Sequence, residues 1–146
     1  MFNFEKQPSR IVFAVSMDDD WDCTFDVTVA YGTIEAHMHF YGQPDTWSQF
    51  GKQLLNFPRN PADSAVFEGG VNTKGYDFMC LKAYCYDAGG HTALKVIIDN
   101  NAEEPRECRI EFSILSEPAS LTQLGRLLAG WDVRTVSERI WEAQTS

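Results

Sequence analysis

Several common chemistries are missing from this chain. There is no Cys-x-x-Cys pair, so the four cysteines at 23, 80, 85 and 108 suggest neither a zinc ribbon nor a thioredoxin-type redox pair. They read as reduced thiols used as small core hydrophobes. No Gly-x-Ser-x-Gly elbow is present, and Gly69-Gly70 and Gly89-Gly90 are isolated turn pairs rather than a phosphate loop. Basic residues are scarce: 12 Lys and Arg stand against 21 Asp and Glu, a formal net charge of −9. That balance argues against nucleic acid and against an anionic membrane surface, both of which need clustered cations. No apolar run approaches the roughly 18 residues of a membrane helix. The opening MFNFEKQPSR has no charged-then-apolar leader, so a cytoplasmic location is expected. Only three histidines occur, at 37, 39 and 91.

What is present suits one folded domain of 146 residues. Apolar residues make up 44% and aromatics 13%, enough for a core that needs no metal or disulfide. Much of the chain alternates with period 2, the mark of half-buried strands. Arg10–Ser16 carries Ile11, Phe13 and Val15 on one side. Asp22–Tyr31 carries Cys23, Phe25, Val27, Val29 and Tyr31. Thr33–Tyr41 carries Ile34, Ala36, Met38 and Phe40 inward and Glu35, His37, His39 and Tyr41 outward. A two-residue type II′ turn at Gly32-Thr33 would join the last two. The resulting register sets Phe25 opposite Phe40, Val27 opposite Met38 and Asp26 opposite His39. A second hairpin, Phe78–Asp87 with Thr92–Asp99, is expected to turn at Gly89-Gly90 and to pair Cys85 with Leu94 and Leu81 with Ile98. Glu107–Leu115 supplies a further strand.

Two segments switch to helical spacing. Thr46–Phe57 places Trp47, Phe50, Leu54 and Phe57 on one stripe, with Thr46 and Gln49 as a capping box. Ser120–Gly130 does the same with Leu121, Leu124, Leu127, Leu128 and Trp131, and with Ser120 and Gln123 as the box. A short helical turn is expected around Ile140 and Trp141. The fold class is therefore α+β: one domain over residues 1–146, with an antiparallel meander of about six strands packed on two amphipathic helices. Its core is expected over 10–131, with 1–9 and 132–146 as terminal extensions. A small sandwich with the helices at its ends is the alternative.

Three surface groups invite a function. The run Asp18-Asp19-Asp20-Trp21-Asp22 lacks the spacing of an EF-hand loop but offers a docking edge, with acids to steer a cationic partner and Trp21 as an anchor. Asp26, His37 and His39, beside Glu35, share the outer sheet face and could offer two nitrogens and an oxygen to a divalent metal. The plainer reading is an Asp26–His39 ion pair. Tyr84, Tyr86, Lys82 and Lys95 would join the same face if the sheet is continuous. No catalytic motif and no cofactor are indicated.

The layout also resembles a known family. A hairpin turning at Tyr31-Gly32 precedes a Trp47-x-x-Phe50-x-x-x-Leu54-x-x-Phe57 helix. Gly69-Gly70, a glycine-tipped hairpin and the strand Arg109–Leu115 follow. A closing Ser120-Leu121-x-x-Leu124-x-x-x-Leu128 helix completes it. Over residues 10–131 this order is similar to small bacterial immunity proteins of the WapI type and related families of polymorphic-toxin loci. The resemblance implies a cytoplasmic, antitoxin-like binder that blocks a toxin domain and has no catalytic residues. The acidic balance makes a basic partner the expectation, with the chain a monomer or weak homodimer. Two other functions are open from sequence: a metal-dependent or small-ligand enzyme on the Asp26/His37/His39 face, and a structural or oligomerising domain.

Overall fold

In the computed structural model, which describes residues 9–145, each apolar alternation becomes a strand. In chain order the elements are β1 (Arg10–Met17), β2 (Cys23–Tyr31), β3 (Ile34–Gly42), α1 (Ser48–Leu55), β4 (Ser64–Gly70), β5 (Phe78–Cys85), β6 (Thr92–Asp99), β7 (Arg109–Leu115), α2 (Pro118–Ala129) and β8 (Glu138–Glu142). They form two antiparallel four-stranded sheets, ordered β3-β2-β1-β8 and β4-β5-β6-β7. The α+β class holds. The single six-stranded meander does not: the described residues form eight strands in two sheets.

The first hairpin has the register its apolar pattern demands. Phe25 faces Phe40, Val27 faces Met38 and Asp26 faces His39. A one-residue slip would turn every one of these side chains to the wrong face. Gly32 has φ +58° and Thr33 has no positive φ, which matches the expected II′ turn.

The second hairpin is shifted by two residues from expectation. Cys85 pairs with Thr92, Ala83 with Leu94 and Leu81 with Val96. The loop is wider than the glycine pair: the Tyr86 amide donates to the His91 carbonyl, and the Gly90 amide to the Asp87 carbonyl. A two-residue shift keeps every side chain on its face, so hydrophobic patterning cannot distinguish the two registers. Asp87 and His91 decide for the wider turn. The Asp87 carboxylate accepts the His91 amide at 3.1 Å and pairs with its Nδ1 at 2.7 Å.

Both helix stripes are buried, but neither capping box forms. Trp47 is the N-cap of α1 and Glu117 that of α2, without side-chain caps. Thr46 Oγ1 instead accepts the Gln43 amide, tightening the turn before the helix. Pro118 occupies the first turn of α2, where a missing N–H does no harm. Ser120 is buried and binds the C-terminal segment, where its Oγ accepts the Gln144 amide and its carbonyl accepts the Trp141 indole N–H.

That contact explains another correction. The tail is no helical turn and no extension: Glu138–Glu142 is β8, paired with β1 so that Ile11 faces Trp141. Trp141 is 3% exposed. The expectation for residues 1–9 falls almost entirely outside the described residues.

One core joins all these elements. Trp47 stacks on Phe67 of β4 with ring centroids 4.0 Å apart and meets Phe13 and Phe25 edge-on. Phe25 also meets Trp131, and Tyr31 stacks on Phe112 across the two sheets. Such pairs contribute about 0.5–1.5 kcal/mol each beyond the area they bury. The inner faces are thereby spent on the core.

Candidate functional site

The outer face of the β3-β2-β1-β8 sheet is open to solvent. Along each strand alternate side chains point outward, and the registers arrange them in rows. Tyr41, Thr24 and Ser16 form one row, and His39, Asp26, Ala14 and Glu138 the next. His37, Thr28, Val12 and Ile140 follow, and then Glu35, Ala30, Arg10 and Glu142. Small residues floor the centre, while Asp26, Glu35, Glu138 and Glu142 supply negative charge. Arg10 is the cation among these rows.

The β1–β2 turn extends the charge at one end of this sheet. Its aspartates have different tasks. The Asp19 carboxylate accepts the amides of Trp21 at 2.8 Å and Asp22 at 2.7 Å, so it builds the turn. Those backbone donors, Asp22 first, hold its pKa below the ordinary carboxylate value. Asp18 Oδ2 accepts the Thr24 hydroxyl at 2.9 Å, which ties the turn to the outer face. Asp20 and Asp22 are exposed, and the Asp20 carbonyl accepts Arg134 Nη2 at 3.0 Å. Trp21 is 55% exposed, an unusual place for a large apolar ring.

The histidines form no ligand set. His37 Nε2 lies 3.1 Å from Asp26 Oδ1, a diagonal pair rather than the expected Asp26–His39 pair across the register. Both side chains of that pair are about half exposed. Among the described residues no three His, Cys, Asp or Glu side chains converge as a metal site requires. The geometry therefore favours a solvated hydrogen-bonded pair over a metal centre among the described residues.

Tyr84, Tyr86, Lys82 and Lys95 belong to the other sheet and its turn, so they do not extend the histidine face. Tyr84 shares a 2.8 Å hydrogen bond with Ser113 Oγ, and Lys95 Nζ sits 5.4 Å above its ring. Tyr86 lies past the end of β5 and stacks on His91. A cavity of about 360 Å³ adjoins Tyr86, His91, Thr92 and Ser116. The Thr92 hydroxyl there donates to the Ser116 carbonyl, so it is not aimed at the imidazole as a nucleophile would be.

Sequence reasoning gave no functional role to two aromatic side chains. Tyr41 is 80% exposed at the end of β3, and Tyr76 is 59% exposed in the β4–β5 connection. Both line a groove of about 310 Å³ with His39, Val71 and Asp77. Tyr41 was legible as an outward residue of a strand. Tyr76 had only one signal, an aromatic in an otherwise polar loop. The groove adjoins the open face, so aromatic surface meets acidic surface.

No described helix is long and apolar enough to cross a membrane. Comparison with family models, with curated proteins and with solved structures returned no match.

Proposed function

We propose that this chain binds a protein with a basic surface through the open face of its first sheet and the adjoining Asp18–Asp22 turn. One observation carries the reading. A nearly uncompensated acidic face, floored by small side chains, is bordered by two exposed aromatic rings, Trp21 and Tyr41. Interfaces of this kind use aromatic anchors for affinity and complementary charge for speed and selectivity. The acids repel nucleic acid, and the flat face offers no enclosed site for a small substrate. The resemblance to immunity proteins makes a basic toxin domain the first partner to try.

A lysate pull-down with the intact chain at low and high salt tests the reading. Recovery of a basic protein that is lost near 1 M salt, where the Debye length falls to about 3 Å, supports it. Retention of the same partner at 1 M salt, or an unchanged association rate for a chain with Asp20 and Glu35 reversed to lysine, overturns it.

A further inference from the structure

Resting on that reading, we propose that the partner contributes an extended basic segment, which adds to the sheet as an antiparallel strand along the free edge of β3. The sheet order places β3 at an edge, with β2 its strand partner. The two-residue turn makes Tyr31 and Ile34 a hydrogen-bonded pair, because it closes the hairpin directly. Alternation then directs the backbone groups of Ala36, Met38 and Phe40 towards β2. Those of Glu35, His37, His39 and Tyr41 face outward. None of these four has a main-chain partner among the described residues. A nine-residue edge of this kind is a template for another strand, and natural proteins rarely leave one uncovered.

Geometry links the edge to the acidic face. The four residues with outward backbone groups also carry the outer-face side chains. Residues directly opposite in an antiparallel pair project to the same face. So the incoming residues that bond to the edge also set their side chains beside Glu35, His37 and His39, with Asp26 one strand further in and within a long side chain's reach. Lysine or arginine at alternate positions therefore makes both contacts at once. At the far end the segment meets the groove between Tyr41 and Tyr76, which suits an apolar or aromatic side chain. The charge of the face selects this occupant over a second copy of the chain, which would bring another acidic face, from a chain of net charge −9, alongside the first.

The test uses the wild-type chain and a fluorescent octapeptide led by phenylalanine and alternating lysine with valine, read by anisotropy. N-methylation of the lysine amides blocks the groups that face β3 and should weaken binding about tenfold or more. N-methylation of the valine amides, which face solvent, should change it less than about threefold. His37→Pro removes an edge-facing N–H without taking a bond from β2 and should match the first effect. His37→Ala keeps the edge-facing N–H and releases Asp26 from the imidazole, so it should not reproduce that loss. Equal binding of both methylated peptides, with binding still lost in salt, overturns the strand edge and leaves the acidic face standing. Binding insensitive to salt overturns the acidic face itself. A homodimer in sedimentation that His37→Pro abolishes overturns the partner assignment, since the edge would then serve a second copy.

Discussion

Gly51 of α1 and Gly125 of α2 meet backbone to backbone. A Cβ at 51 would lie 2.9 Å from the Gly125 carbonyl oxygen and 2.5 Å from the Ala129 amide nitrogen. A Cβ at 125 would lie 2.8 Å from the Gly51 carbonyl oxygen. This approach lets both apolar stripes reach the same core.

Gly125→Ala follows from it. Alanine gains roughly 1 kcal/mol of helix propensity over glycine. The new methyl meets main-chain atoms that cannot swing aside, and overpacking costs about 1–3 kcal/mol. Strain should win, so a urea midpoint below wild type with an unchanged slope is the expected outcome.

Trp141 should anchor β8. Its indole N–H reaches the Ser120 carbonyl at 2.9 Å, and its ring is buried. Trp141→Ala should destabilise by about 3–5 kcal/mol, as for large aromatic truncations in a core. Hydrogen exchange should quicken along β1, which loses its outer neighbour. Trp141→Phe, which forfeits the hydrogen bond but keeps a ring, should cost less.

Asp63 should shape the acid limb of stability. The Arg59 guanidinium, with the Arg59 amide, holds its pKa down to about 2. The unfolded value is higher, near 3.9. The stabilisation is therefore complete above about pH 4 and is lost as the pH falls towards 2. An NMR titration should find Asp63 ionising near pH 2 and rising towards 4 in Arg59→Ala. Asp63→Asn should flatten the pH dependence of stability between those limits.

Asp20 and Glu35 should govern association rate rather than stability. Both are exposed, and neither carboxylate builds the turn or the sheet. Lysine at both positions should slow capture of a basic partner roughly tenfold at low salt, with the difference fading as salt rises. Asp19→Lys is the contrast: it removes the acceptor of two turn amides and should lower the melting temperature as well.

Patterning made the first hairpin legible in full, because a slip of one would have buried Asp26 and exposed Val27. It left the second hairpin ambiguous by two residues, since both registers bury Leu81 and Ala83. β4 was missed because its sequence, Ser64-Ala-Val-Phe-Glu-Gly-Gly70, is short and ends in glycines that resemble a turn. The capping boxes were reasonable locally, yet Thr46 and Ser120 had stronger partners in the turn before α1 and in the C-terminal segment.

The site divides the same way. The acidic turn, Glu35, His37 and His39 could each be named from the sequence, and the first hairpin alone placed Asp26 beside the histidines. Tyr84 and Tyr86 were assigned to that face only by assuming one continuous sheet. The sequence by itself determined the class of fold, the inward and outward faces of most strands, and a strongly acidic surface. These depend on period, turn chemistry and charge, which are local. Tertiary structure alone decided that the strands divide into two sheets, that Trp141 closes the first beside β1, and that β3 has no strand on its other side among the described residues. Those outcomes depend on which distant segment buries a given apolar face best, and no local pattern carries that information.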